Sequence, residues 1–161
     1  MKPSLNILFV GTGGQGILKA SEVAAIASVL DGFDVKKSEL HGMSQRGGSV
    51  ESHLRLGERV LAPIIPDSEA DFIVGLNKQE SKRVLHFLRK EGNNLTSYLN
   101  EALKECKDLR TLNICFLGIL SSYLLIEDSN WVKAIKEVFK KSYHKINIEA
   151  FYLGKKLGGI E

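Results

Sequence analysis

The sequence predicts an α/β fold: three layers, α/β/α, built on a mixed, mostly parallel central sheet. Three observations predict it. An apolar run, Leu5–Val10, passes through Gly11-Thr12-Gly13-Gly14-Gln15-Gly16 into a segment with apolar residues at helical spacing. Strand, glycine turn and helix in that order open a wound α/β unit. Two further strand-like stretches, Asp34–Leu40 and Val50–Leu56, are joined by a loop with no room for a crossover helix, so they pair antiparallel and the sheet is mixed. Beyond them, stretches with helical period alternate with turn signals and supply the outer layers. With 161 residues, 43% hydrophobic and 25% charged, residues 1–161 are expected to form one globular domain.

Each element has its own warrant. Leu5–Val10 is apolar except for Asn6, the pattern of a strand buried on both faces. The helix from about Gly14 to Leu30 places Ile17, Ala20, Val23, Ala24, Ala27 and Leu30 on one stripe, its alanines letting it lie close to the sheet. Asp31-Gly32 ends it, with Gly32 as a left-handed cap. Phe33–Leu40 is the next strand, and the β-α-β crossover should be right-handed. Val50–Leu56 alternates. Val50, Ser52, Leu54 and Leu56 share one face, and Glu51, His53 and Arg55 the other, wetter one. Pro63 and Pro66 punctuate a loop around Ile64-Ile65, and Asp71–Leu76 is a short buried strand. Asn77 caps a helix over Lys78–Arg89. Glu91-Gly92-Asn93-Asn94 reads as a turn, and Thr96–Lys107 as a helix. Leu112–Ile126 is too long for a strand and reads as a buried helix. Asp128–Lys141 follows, with Trp131, Ile135, Val138 and Phe139 inward, and Ile148–Leu157 closes the chain.

Composition excludes several functions. Net charge is +3, and the basic pairs (Lys36-Lys37, Lys82-Arg83, Arg89-Lys90, Lys140-Lys141) are dispersed among acids, unlike a nucleic-acid reader. No apolar run approaches the roughly 20 residues of a membrane span. Cys106 and Cys115 are too few for a disulfide framework, a metal site or an iron–sulfur cluster. Met1-Lys2-Pro3 leads straight into the first strand, so a cytoplasmic location is expected.

Two stretches are candidates for binding. Gly11, Gly13 and Gly16 fit G-x-G-x-x-G, and unpaired N–H groups at a helix start suit an anion; the competing role is a tight turn alone. Glu39, 23 positions after Gly16, falls near where a dinucleotide-binding unit keeps its ribose-binding acid. A stand-alone dinucleotide-binding oxidoreductase domain is therefore the alternative reading. The second stretch is His41, Met43, Ser44, Gln45, Arg46, Gly47 and Gly48. It is longer than a hairpin requires, and Arg46 offers a planar fork for carboxylate or phosphate. Ser44 and Gln45 could donate to the same anion. The loop is expected to face a partner subunit or a substrate channel. His53 reads as a strand-surface residue.

Together, Gly11–Gly16 and the string His41-Gly42-Met43-Ser44-Gln45-Arg46-Gly47-Gly48-Ser49 resemble the gamma domain of the 2-oxoacid:ferredoxin oxidoreductases, nearest its indolepyruvate branch. Pro66, Glu69-Ala70-Asp71, Gly118 and the Ile148–Gly154 tail also look like the family. One departure is expected: Gly92–Thr96 is too short and polar for the strand the family has there, and a helix would replace it. The resemblance implies a non-catalytic subunit. Thiamine diphosphate, magnesium and iron–sulfur clusters would sit on a partner chain, ferredoxin would take the electrons, and coenzyme A would lie at the shared interface. The isolated chain would be inactive, with no catalytic residue or metal ligand of its own. A homodimer is compatible with this, and the identity of the 2-oxoacid is not written in this chain.

Overall fold

Leu5–Thr12 (β1) is the middle strand of a five-stranded sheet, and its interior residues, Asn6 to Gly11, are all buried. The computed structural model describes residues 1–42 and 47–159. With β2 (Asp34–His41), β3 (Ser49–Gly57), β4 (Ala70–Gly75) and β5 (Leu88–Asn94), the order across the sheet is β2-β3-β1-β4-β5. β3 is antiparallel to both neighbours, with Ile7 opposite Leu54 on one side and Lys37 opposite Leu54 on the other. β4 is parallel to β1, and β5 to β4. Four strands therefore run one way and β3 against them. β1 and β2 are not neighbours, because β3 inserts between them.

The two faces are covered unequally. One carries α1 (Ile17–Leu30), α4 (Leu112–Ser121), α5 (Asp128–Val138) and α6 (His144–Leu157), packed with Ile7, Phe9, Leu54, Leu56, Phe72 and Val74 in the main core. Ala20, Ala24 and Ala27 of α1 are buried, and Ser21 Oγ reaches Ser52 Oγ on β3 at 2.8 Å, a contact only a close-lying helix allows. α4 is buried at every position because α6 crosses it glycine to glycine: a Cβ on Gly118 would run into the Phe151 carbonyl, and one on Gly154 into the Cys115 carbonyl. The opposite face carries the short α2 (Lys78–Arg83), a 3₁₀ turn at Leu85–Phe87 and the loop through Ile65, over Leu8, Val10, Ile73 and Val84.

Several expected boundaries move. α1 starts at Ile17 rather than Gly14, because Gly16 (φ 76°) holds the left-handed conformation before it. Asn77 does cap α2, its Oδ1 accepting from Glu80 N–H at 3.0 Å, but the helix stops at Arg83 rather than Arg89. The chain then turns through Leu85–Phe87 into β5, so Glu91–Asn94 is strand, not turn, and no helix replaces the family strand. A polar strand is stable here because it is an outer one. Its side chains are mostly half-buried or exposed, while its backbone pairs with β4. Gly92 permits the local irregularity, since a Cβ there would press on the Ala70 carbonyl at 2.8 Å. The helix expected over Thr96–Lys107 is a 3₁₀ turn (Leu95–Tyr98) followed by α3 (Leu99–Glu105). α4 ends at Ser121 and α5 at Val138, while α6 begins four residues early, at His144.

His53 corrects the reading of β3. It is fully buried, and Glu51 nearly so. The loop after β3 folds back over them. Ile65 N–H donates to His53 Nδ1 at 3.1 Å, leaving Nε2 to donate to Glu51 Oε2 at 3.2 Å. Glu51 Oε1 pairs with Arg83 Nη1 at 2.7 Å, and Arg83 Nε with Glu80 at 2.9 Å. Arg55 anchors the same loop through the carbonyls of Ala62 and Ile64, both at 3.2 Å. The wetter face is thus a buried polar network beneath a strap.

Candidate functional site

The glycine turn lies at the end of β1, between the ends of β3 and β4. Its own residues bond much of its backbone. Thr12 N–H donates to Gln15 Oε1 at 2.8 Å, and Gln15 N–H to the Thr12 carbonyl at 3.2 Å. Gln15 Nε2 continues to the Leu76 carbonyl at 2.9 Å, tying the turn to the end of β4. Asn113, at the start of α4, donates to the Gly16 carbonyl at 3.0 Å and sits where a Gly16 Cβ would be. Gly14 (φ 90°) and Gly16 (φ 76°) both need the left-handed region. Their amides have no hydrogen-bond partner among the described residues. Gly13 and Gly14 are exposed.

The second stretch meets the first. Gly13 N–H donates to the Gly48 carbonyl at 2.9 Å, and the Gly47 backbone lies 3.5 Å from where a Gly13 Cβ would stand. Gly42 N–H closes the base of the hairpin on the Ser49 carbonyl at 2.7 Å. Met43, Ser44, Gln45 and Arg46 lie outside the described residues. His41 and Val50 join the turn in lining an open cleft of about 530 Å³, whose far wall is Arg110, Asn113 and Phe139. Gly11 is buried beneath the turn, behind Gln15 and Ile17. Lys19, on the first turn of α1, reaches over the Phe139 ring at 5.2 Å. The guanidinium of Arg110 is bidentate to Asp108 and holds that carboxyl below its ordinary range. Among the described residues the cleft therefore offers two unpartnered amides and the Lys19 cation, with Arg110 held by Asp108 at its far wall, an arrangement suited to a phosphate or carboxylate.

Sequence reasoning did not identify Lys19, Arg110, Asn113 or Phe139. They come from the first turn of α1 and from segments roughly 90 to 120 residues downstream, and no local motif marks them. Glu39 does not serve as a ribose-binding acid. β3 separates β2 from β1, so Glu39 stands two strand spacings, about 10 Å, from the glycine strand. It pairs instead with Lys37 at 2.8 Å.

Residues 6–98 match the model of the pyruvate ferredoxin/flavodoxin oxidoreductase family, "Pyruvate ferredoxin/flavodoxin oxidoreductase". The chain belongs to this family. Apart from Leu5 at the start of β1, the matched stretch holds the five strands, the glycine turn and the loop that meets it, so the family's shared part contains the cleft's floor, while Arg110 and Phe139 lie beyond it. Within the pyruvate ferredoxin/flavodoxin oxidoreductase family, indolepyruvate oxidoreductase subunit IorB of Archaeoglobus fulgidus is 49% identical over 86 residues, 53% of this chain and 42% of that subunit. The chain thus matches less than half the length of that relative. The fold is that of the gamma subunit of a keto/oxoacid ferredoxin oxidoreductase from Geobacter sulfurreducens, with a TM-score of 0.79, 20% identity, and 96% and 98% of the two chains covered. A 2-oxoglutarate:ferredoxin oxidoreductase from Magnetococcus marinus, solved with 2-oxoglutarate, coenzyme A and succinyl-CoA bound, superposes at a TM-score of 0.80 and 20% identity, over 98% of this chain and 31% of that one. Membership in this family and the displacement of Glu39 by β3 both speak against a stand-alone dinucleotide-binding domain. Among the described residues no helix is long and apolar enough to cross a membrane.

Proposed function

We propose that this chain is the small, non-catalytic subunit of a 2-oxoacid:ferredoxin oxidoreductase of the indolepyruvate type. It docks on the chain that carries thiamine diphosphate, magnesium and the iron–sulfur clusters, in the cytoplasm, and electrons pass from that chain to ferredoxin. The observation that carries this reading is the backbone bond from Gly13 to Gly48, which joins the glycine turn to the second glycine-rich stretch beside one open cleft. A turn needed only for chain reversal gains nothing from such a loop set against it.

We place partner contact on His41, Met43, Ser44, Gln45, Arg46, Gly47 and Gly48. The turn itself suits a phosphate of coenzyme A at the shared interface, held by the Gly14 and Gly16 amides with Lys19 and Arg110 nearby. Bound there, coenzyme A would supply the thiol that carries the acyl product away. This chain's part is to orient that ligand and to seal the interface from water.

The test is reconstitution with the purified thiamine-carrying subunit. Neither chain alone should reduce ferredoxin with a 2-oxoacid, and the mixture should. Arg46→Ala should weaken association if the loop is buried in the interface, where an uncompensated charge costs several kcal/mol, against less than about 1 kcal/mol for an exposed pair. Equal affinity for both forms, with equal thermal stability of the free chains, would remove the loop from the interface.

A further inference from the structure

β2 closes one side of the sheet, and among the described residues no strand lies beyond it. Gly42 N–H points at the Ser49 carbonyl, in the same register that pairs Asp34 with Gly57. Even-numbered residues of this strand therefore turn their backbone groups toward β3. Alternation turns those of Val35, Lys37, Glu39 and His41 outward. This edge is regular over eight residues, and four of them, Lys36, Glu39, Leu40 and His41, are exposed. The other edge, β5, is interrupted by a register shift, which blunts strand addition.

We propose that β2 is a homotypic interface: a second copy adds its own β2 antiparallel, about a two-fold axis through Ser38, and joins the two sheets into one. The inference does not rest on the function proposed above, and His41 is the one residue the two surfaces share. It rests on charge and on backbone groups that have no partner among the described residues. A two-fold through an antiparallel ladder sets one residue opposite itself. Centring on Lys36, Lys37 or Glu39 would oppose like charges, and centring on either end would shorten the overlap. Centring on Ser38 sets Lys37 opposite Glu39 twice, Val35 opposite His41, and Lys36 opposite Leu40, whose exposed side chain (46%) the lysine stem can cover. Lysines on a sheet edge usually guard against strand addition. Here Lys37 meets the partner copy's acid, exchanging its bond to Glu39 within the strand (2.8 Å) for an equivalent one between copies.

The register gives a sharp test. Directly opposed residues of a non-hydrogen-bonded antiparallel pair lie about 4.5 Å apart at Cα, within disulfide reach. Ser38→Cys in the full chain should form a self-linked dimer under mild oxidation. Leu40→Cys should not, because its own copy lies about 13 Å away along the ladder. The native Cys106 and Cys115 are buried and leave little background. Light scattering should find wild type dimeric. Lys37→Glu should weaken the dimer about tenfold, and Lys37→Glu with Glu39→Lys should restore it. A wild type that stays monomeric, Ser38→Cys linking no faster than Leu40→Cys, or a dimer indifferent to Lys37→Glu would each overturn the proposal.

Discussion

Gln15 holds the glycine turn by both ends of its amide, accepting from Thr12 N–H and donating to the Leu76 carbonyl. Gln15→Ala leaves both partners without their bond and should lower stability by about 2 kcal/mol, read by urea denaturation. Gly13 contrasts with it, since a Cβ there meets Gly47 only at ordinary contact distance. Gly13→Ala should change the melting temperature little. Glu51 makes a pH prediction. Its hydrogen bond to His53, opposed by burial and reinforced by Arg83, holds its carboxyl below the ordinary value of 4.5. A depressed carboxylate contributes stability that is fully present above that value and is lost as pH falls through the lower, folded one. Glu51→Gln should cost about 1 to 2 kcal/mol at pH 7, because the amide keeps one acceptor oxygen where the carboxylate served both His53 and Arg83, while half-exposed Arg83 keeps Glu80. The gap between wild type and variant should narrow as pH drops below 4.5, measured by denaturation at a series of pH values. A constant gap would remove the carboxylate's charge from the account. Sequence alternation put Glu51, His53 and Arg55 on one side of β3 correctly. It could not report that Ile65 and Arg83 come from later in the chain to cover them.

At the scale of elements, local pattern located β1, α1, β3 and β4 well, because each combines a periodic apolar signal with a clear stop; it placed the start of α4 but ran five residues past its end at Ser121, since the apolar residues continue beyond it. β5 was invisible. Leu88-Arg89-Lys90-Glu91-Gly92-Asn93-Asn94 has little strand propensity, and its structure is dictated by pairing to β4. The early start of α6 escaped notice for a similar reason. His144, Lys145 and Asn147 are not an apolar run, yet Asn147 is buried and donates to the Tyr143 carbonyl at 2.9 Å. The crossing of α4 and α6 depends on paired glycines. Gly118→Ala drives a methyl into the Phe151 carbonyl and should lower stability by about 3 kcal/mol through forced separation of the helices. Chemical denaturation of the free chain measures this directly, and a loss below about 1 kcal/mol would mean the helices separate easily.

At the scale of the whole molecule, the glycine turn and the His41–Gly48 stretch were legible as separate motifs. Their meeting was not, because it follows from β3 running antiparallel beside β1 and returning Gly48 to Gly13. The far wall of the cleft was legible to no motif at all. In the proposed complex this face docks on the thiamine-carrying subunit and contributes no chemistry of its own. This is tested most directly by titrating that subunit with wild type and Gly13→Val, following affinity by calorimetry and coenzyme A-dependent ferredoxin reduction in the same mixtures, with melting temperatures of the free chains as control. The free chain should show no turnover, wild type should form a defined complex, and the variant should lose at least tenfold in affinity or in coenzyme A response at unchanged melting temperature. Turnover or tightly held dinucleotide on the free chain, or a variant that matches wild type in both readouts, would contradict this reading.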